Sequence, residues 1–289
     1  MRELPPFARF RQRSRLYAGR ALRTVTGQSL RHPCVFMHVP KCGGTSVSEA
    51  LYATVPLHLK IGILDAPSIR RALAILNCGR DDLSYHDEGP RAAETSRFRE
   101  ALVLMHMAHQ ATLIHGHFLF SETAWQHFGD RYRFVSILRD PVARTISNYR
   151  MDRRTGVFTG DFDAFLDSAE GRLKALHMLR YFSGMPEVAP EQEAQALEIA
   201  RRNMARFSLL GFLDDLPGFA AGFARLFGVR PWIPHYNAAE DADVQITPEQ
   251  HGRLRALCAP DIALYQLARD MAQHPQPAAS PVTGMEKTA

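Results

Sequence analysis

One stretch of 17 residues, CVFMHVPKCGGTSVSEA from Cys34 to Ala50, constrains the fold more than any other part of the chain. It begins with a short, mostly apolar run, Cys34–Val39, of the kind that forms a strand buried in a parallel sheet. Pro40 ends this run, and the glycine pair Gly43–Gly44 allows the backbone to turn tightly and to come close to a ligand. The stretch therefore predicts a strand, a tight turn and a helix, which together form one βα unit of a parallel sheet.

The residues of this turn predict a site for an anion. Thr45 and Ser46 are suited to cap a helix, whose first N–H groups are unpaired and carry the positive end of the helix dipole. Lys41 adds a positive charge on the strand side of the glycines. In the Walker A loop of ATPases the lysine instead follows the last glycine and precedes Ser or Thr. The pattern favours a phosphate site of another kind over an ordinary turn with a solvated lysine.

Length and composition favour one large α/β domain, since 289 residues of which 46% are hydrophobic can bury a sizeable core. Eight arginines and one glutamate precede His32, so this arm carries a formal charge of +7 and the remainder carries −2, within a total of +5. Because the body of the protein is close to neutral, the basic pI does not predict a nucleic-acid partner. The scattered cysteines are predicted to be free thiols in a reducing compartment, which indicates a cytoplasmic location.

We predict three segments along the chain: a basic arm at 1–31, one folded domain at 32–273 and a disordered tail at 274–289 that is rich in Pro, Ala, Ser and Thr. The arm has no apolar run as long as a signal-peptide core or a membrane span. Two interpretations of the arm stay open. In the first, the arm binds an anionic surface, either lipid at the inner membrane surface or an acidic partner. In the second, the arm extends into solvent.

A second informative stretch is Ala111–Phe120, ATLIHGHFLF, a short β-like run that contains His115-Gly116-His117. Alternation along a strand places the two imidazoles on one side, and the glycine between them leaves room for a ligand. A zinc or iron site would need a third and usually a fourth ligand at a set spacing, which the motifs do not supply. We therefore predict that no metal binds here.

A third stretch, Arg131–Arg150, predicts a strand at Phe134–Leu138 and a helix that begins at Pro141. Arg139 would lie at the carboxyl end of that strand, where ligands of open α/β sheets bind. Ser147 follows two helical turns later, and a guanidinium suits a phosphate because its planar fork donates two parallel hydrogen bonds. The alternative is that Arg139 and the next residue, Asp140, form a structural pair or a helix cap.

Further segments complete the predicted α/β pattern. The sequence predicts a strand at Val55–Ile63, another at Ser208–Leu213, and helices at Ala66–Leu76, Gly171–Phe182 and Pro248–Asp270.

Together these motifs resemble those of the sulfotransferases that use 3′-phosphoadenosine 5′-phosphosulfate. Pro40-Lys41, one residue, then Gly43-Gly44-Thr45-Ser46 is similar to their 5′-phosphosulfate loop, and Arg139-Asp140-Pro141 followed by Arg144 and Ser147 is similar to their 3′-phosphate motif. The His-Gly-His sequence resembles that of the heparan sulfate and uronyl 2-O-sulfotransferase branch, in which histidine deprotonates the acceptor hydroxyl. The resemblance implies a single P-loop-like domain, with a central, mostly parallel sheet flanked by helices, in a bacterial enzyme.

The resemblance also implies roles for residues of this chain. The nucleotide would be bound by Lys41, Cys42, Gly43, Gly44, Thr45, Ser46, Arg139 and Ser147. Lys41 would also stabilise the departing phosphate, His117 would be the general base, and His115 would assist it or orient the acceptor. The acceptor would be a hydroxyl of a carbohydrate or glycan-like molecule, and no metal would take part. Two other classes stay open: a nucleotide-dependent kinase or hydrolase, and a non-catalytic glycan- or lipid-binding protein.

Overall fold

The computed structural model describes residues 6–85, 89–233 and 245–273. These residues form one α/β domain around a five-stranded sheet in which every pairing is parallel. The strands are β1 (Cys34–Met37), β2 (Ile61–Leu64), β3 (Leu113–Gly116), β4 (Arg133–Leu138) and β5 (Leu209–Phe212). The helices that flank them are α1 (Pro6–Thr26), α2 (Gly44–Tyr52), α3 (Ala66–Cys78), α4 (Ala92–Ala108), α5 (Glu122–Phe128), α6 (Pro141–Thr155), α7 (Phe162–Asp167), α8 (Ala169–Ala175), α9 (His177–Ser183), α10 (Glu193–Met204), α11 (Leu216–Phe227), α12 (Pro248–Leu257) and α13 (Ala259–Gln273). The predicted fold class is confirmed.

Most of the sheet is buried, because its strands are largely apolar and helices cover them, whereas Ile63 on the edge strand β2 is exposed. All four residues of β1 are fully buried, as expected for the middle strand of a sheet that is covered by helices. The polar side chain of Ser136 on β4 is also buried, and its hydroxyl donates a hydrogen bond of 2.8 Å to the carbonyl oxygen of Met37. That bond ties together the carboxyl halves of β1 and β4, beside which the predicted phosphate residues lie.

The order of the strands locates a crevice. The order is β2-β3-β1-β4-β5, so the chain leaves β1 toward one edge of the sheet and leaves β4 toward the other edge. In open parallel sheets, ligands bind outside the carboxyl ends of two neighbouring strands whose connections diverge in this way. The loop after β1 holds Lys41, and the residue after β4 is Arg139. The fold therefore brings the first and third sequence motifs to the same crevice.

Three sequence predictions differ from the structure in their boundaries. The strand predicted at Val55–Ile63 is present only as β2, because the residues before it form a turn. The single helices predicted at Gly171–Phe182 and Pro248–Asp270 are each two helices, which are interrupted at Leu176 and Cys258. The four cysteines are free thiols, as predicted.

The predicted basic arm contains a helix that is packed against the domain. From Pro6 to Thr26 the chain forms α1, and Arg20 on this helix donates hydrogen bonds of 3.0 Å to the carbonyl oxygens of Val55 and Pro56. None of the described helices combines the length and the apolar character that crossing a bilayer requires. The tail at 274–289, for which the sequence predicts disorder, lies outside the described residues.

Candidate functional site

The loop after β1 has the backbone geometry of a tight, ligand-facing turn. Lys41 and Gly43 both have left-handed backbone angles, with φ values of 63° and 75°. The prediction that Thr45 and Ser46 cap α2 is wrong. Gly43 is the capping residue, and Thr45 and Ser46 lie within the first turn of the helix. A side chain at Gly43 would collide with Leu213, because a Cβ there would lie 2.4 Å from the leucine Cδ1. The left-handed backbone therefore favours glycine at this position, and a larger side chain would also have to displace Leu213.

Arg139 contacts this loop directly. Its Nη1 donates a hydrogen bond of 3.4 Å to the carbonyl oxygen of Lys41, across the gap between β4 and β1. Partial burial lowers the pKa of the Arg139 guanidinium, and the charges of Arg144 and Arg150 lower it further. An anion bound beside these residues would offset both the loss of hydration and the repulsion between the guanidinium groups. This balance of charge fits the binding of a phosphate.

The other residues predicted to bind the nucleotide have different surroundings. Cys42 is buried, and its burial raises the pKa of the thiol to about 12, so the side chain is a neutral core group. Ser147 is half-buried on α6, one helical turn before Arg150. The carboxylate of Asp140 accepts a hydrogen bond of 2.8 Å from the amide of Ala143 and thus caps α6. The roles assigned to Cys42 and Ser147 in binding stay predictions.

His117 is held in one tautomer. Its Nδ1 lies 2.8 Å from the carbonyl oxygen of His38, and a carbonyl can accept but not donate a hydrogen bond. The neutral ring therefore carries its proton on Nδ1 and has its lone pair on Nε2. Arg99 donates a hydrogen bond of 2.8 Å to the backbone carbonyl of His117 and fixes the segment that leaves β3. An oriented imidazole with a defined basic nitrogen is the arrangement that a general base needs.

His115 has a different environment. Its Nε2 lies 2.6 Å from the Ser48 hydroxyl and its Nδ1 lies 2.7 Å from the Tyr52 hydroxyl, and both partners belong to α2. Burial and the nearby His117 lower the pKa of His115 to about 3. The neutral ring therefore connects α2 to β3. Gly116, next in the chain, does not leave room for a ligand as predicted, since Leu64 of β2 fills the space in front of it.

The structure adds a third histidine that the sequence analysis did not single out. The ring of His38 stacks on His117 with centroids 4.3 Å apart and on His115 at 5.9 Å. Burial, together with the charges that the other two rings can carry, lowers the pKa of His38 well below its usual value. Its Nε2 is buried and has no hydrogen-bond partner among the described residues. The sequence contains one indication of the position of His38. It follows Phe36 by two residues, and alternation along an extended chain places both rings on the same side.

A cleft of about 650 Å³ lies on this part of the domain, and none of His38, His115 and His117 lines it. Its wall includes Leu119, two residues after His117, together with parts of α4, α5 and α10. The exposed guanidinium groups of Arg97 and Arg202 reach it, and neither forms an ion pair within the described part of the chain. A volume of this size accommodates one or two sugar units. Glu100 and Glu122 line the same cleft, so its wall carries charges of both signs and the cleft is a candidate binding site for a polar molecule.

Comparison with known proteins does not assign the site. The chain matches no protein-family model and no curated protein sequence. Among the described residues, no three His, Cys, Asp or Glu side chains form a group that could hold a metal ion. A function for the site has to be argued from its motifs and its geometry.

Proposed function

We propose that this protein is a sulfotransferase that moves a sulfuryl group from 3′-phosphoadenosine 5′-phosphosulfate to a hydroxyl of a carbohydrate or glycan-like acceptor. The observation that carries this proposal is the contact between Arg139 and the Lys41 loop at the crevice between β1 and β4. It brings together the two stretches that resemble the 5′-phosphosulfate loop and the 3′-phosphate motif. His117 directly follows β3, and β3 and β4 flank β1 on opposite sides, so His117 and Arg139 lie on opposite sides of β1.

The residues of the chain would divide the chemistry among them. When bound, the donor supplies a sulfuryl group, and transfer breaks the bond between its sulfur and the bridging oxygen of the 5′-phosphate. His117 Nε2 would accept the proton of the acceptor hydroxyl, whose oxygen forms the new bond to sulfur. Lys41 would stabilise the negative charge that remains on the bridging oxygen. Arg139 and Ser147 would hold the 3′-phosphate, and the acceptor hydroxyl would lie beside His117.

The alternative of a magnesium-dependent kinase or hydrolase receives less support from the site. Such enzymes hold Mg²⁺ with a carboxylate near the phosphate loop, and Asp140 is the neighbouring candidate in the sequence. Its carboxylate instead accepts the hydrogen bond from Ala143 that caps α6. We therefore expect nucleotide binding that does not depend on magnesium.

The first test is the binding of adenosine 3′,5′-bisphosphate without metal. A ligand at 100 times its Kd stabilises a folded protein by about 2.7 kcal/mol, so the melting temperature should rise by several degrees. Arg139→Ala should weaken this binding about 10- to 100-fold, because a hydrogen bond to a charged group contributes about 1.5–3 kcal/mol. Calorimetric titration of the wild type and the variant measures the difference.

Arg133→Ala is the matched control, since Arg133 lies at the opposite, amino end of the same strand and bonds to a nearby backbone carbonyl. It should bind the bisphosphate like the wild type. If 5′-AMP stabilises the protein as well as the bisphosphate does, there is no 3′-phosphate site. If ATP with magnesium binds more tightly than the bisphosphate, the kinase interpretation is favoured.

We expect Lys41→Ala to lower the rate of sulfuryl transfer about 10²- to 10³-fold, the usual loss when one donor to a developing oxyanion is removed. The free energy of unfolding should change by less than about 0.5 kcal/mol, because Lys41 lies on a loop outside the core. Lys60→Ala, which removes an exposed lysine before β2, is the control and should leave both quantities unchanged. Normal turnover by the Lys41 variant would mean that this lysine has no part in the chemistry.

A further inference from the structure

The outward face of α1 is apolar, although the helix is rich in arginine. Tyr17, Leu22 and Val25 are exposed by 57%, 56% and 86%. Helical spacing places Ala18 and Ala21 among them, so the three larger side chains belong to one continuous stripe. A side chain as apolar as Val25 rarely remains so exposed within a stripe unless the stripe contacts something.

The opposite face of α1 holds the helix on the domain. Arg20 donates hydrogen bonds to the carbonyl oxygens of Val55, Pro56 and Leu59. Gly19 lies so close to α2 that a Cβ there would be 2.8 Å from the Cβ of Ala53. The orientation of the helix is therefore fixed by its docked face, and the apolar stripe points away from the domain.

A mostly apolar groove adjoins this stripe, although the side chains of Arg15, Arg23, Glu49 and Arg230 also line it. It has a volume of about 350 Å³ and lies between α1 and α2, and Leu16, Leu22 and Trp232 line it. Trp232 is 65% exposed, and the Arg15 guanidinium lies 5.3 Å from the centre of its ring. Tryptophan and arginine beside an apolar face are typical of proteins that bind at a lipid interface.

The apolar stripe could be covered by a second copy of the chain or by a lipid surface, and the charge of α1 distinguishes between the two. The helix has no acidic residue and six basic ones, which are Arg9, Arg11, Arg13, Arg15, Arg20 and Arg23. If a second copy of the chain covered the stripe about a twofold axis, two basic helices without acidic residues would meet, and like charges across an interface oppose binding. An anionic lipid surface supplies both an apolar phase and the opposite charge.

We propose that α1 is an interfacial helix that lies on an anionic bilayer, with Tyr17, Leu22 and Val25 inserted below the lipid headgroups. Arg15 and Arg23 contact the headgroups, and the groove beside Trp232 receives part of an acyl chain. This surface is separate from the crevice that holds Lys41 and Arg139, and its role does not depend on the chemistry proposed there.

The test is flotation of the full chain with vesicles of phosphatidylcholine alone and of phosphatidylcholine with phosphatidylglycerol. The protein should float with the anionic vesicles, and added salt should release it in part. Leu22→Asp with Val25→Asp should lower binding at least tenfold, because two apolar side chains no longer enter the lipid. The control is Ile75→Asp with Leu76→Asp on α3, where side chains that are 50% and 74% exposed change in the same way. Melting temperatures show that both variants fold.

Fluorescence gives an independent readout, since the chain has two tryptophans and the other, Trp125, is buried. Brominated lipid should quench the wild type, and Trp232→Phe should lose this quenching. Failure to bind anionic vesicles, or equal losses in the α1 and α3 variants, would refute the proposal. So would a dimer in light scattering that the α1 variant dissociates, because the occupant of the stripe would then be a second copy.

Discussion

Replacement of His117 by alanine is expected to lower turnover about 10²- to 10⁴-fold, the contribution of a positioned general base. The reason is the hydrogen bond from Nδ1 to the carbonyl oxygen of His38, which makes Nε2 the basic nitrogen. Affinity for adenosine 3′,5′-bisphosphate should change little, since the base contacts the acceptor and not the nucleotide. Steady-state rates with a competent acceptor and calorimetric titration measure the two effects separately.

Two further variants separate a catalytic role from a structural one. His115→Ala removes the partner of both Ser48 and Tyr52, so we expect it to lower the melting temperature and to impair nucleotide binding through α2. His109→Ala, which removes an exposed histidine at the end of α4, should have no effect on rate or stability. Full turnover by both the His115 and the His117 variants would mean that the base lies elsewhere. Loss of activity of the wild type on treatment with a chelator would instead indicate a metal site.

The central unit of the fold was predictable because its signals are local. The buried run Cys34–Met37, the glycine pair and the helix after it are consecutive in the chain, and each element depends on residues within a few positions. The same is true of β4 and of α6, which begins at Pro141 as predicted. Parallel strands carry their ligand residues at one edge, so the two locally predicted strands place Lys41 and Arg139 at the same edge of the sheet.

The features that were not predicted depend on contacts between distant parts of the chain. The helix expected at Gly171–Phe182 is interrupted at Leu176. The first turn of α9, which follows the interruption, is held by Asp261, 82 and 83 residues further along the chain. The carboxylate of Asp261 accepts hydrogen bonds of 2.8 Å from the amides of Met178 and Leu179. The interruption at Cys258 had a local signal, since Pro260 is tolerated in the first turn of a helix and not in its interior.

The candidate site shows the same division between local and distant signals. The role of His115 as a link to α2 depends on Ser48 and Tyr52, which are 67 and 63 residues away in the chain. Nothing in the His-Gly-His sequence indicates which of its two rings has such partners. The burial of Arg144 is a further example, because an arginine on a helix is usually solvated and its partner is distant.

Breaking the buried pair formed by Arg144 and Asp261 is expected to have the largest effect on stability. Both side chains are fully buried, and Arg144 Nη2 lies 3.1 Å from Asp261 Oδ2. Asp261→Asn should lower the free energy of unfolding by about 3–5 kcal/mol, because it leaves the guanidinium charge buried without its counterion. The measurement is urea unfolding followed by circular dichroism.

The control is a pair of the same kind at the surface. Arg253 and Asp167 form an ion pair whose side chains are 38% and 72% exposed, so Asp167→Asn should cost less than about 1 kcal/mol. Equal losses in the two variants would contradict the assignment of Asp261 as a buried counterion.

The double variant Arg144→Met/Asp261→Leu tests whether the pair stabilises the fold or is only costly to break. Burial raises the pKa of Asp261 to about 6, although Arg144 and the two backbone amides oppose that rise, so the cost of desolvation exceeds the attraction. A pair with this balance can be replaced by apolar side chains at lower cost than the loss of one partner. We therefore expect the double variant to unfold at a higher urea concentration than Asp261→Leu alone, with a coupling energy of about 1–3 kcal/mol. If the two losses simply add, the charges of Arg144 and Asp261 do not interact, and the stability of α6 on α9 and α13 comes from its apolar contacts.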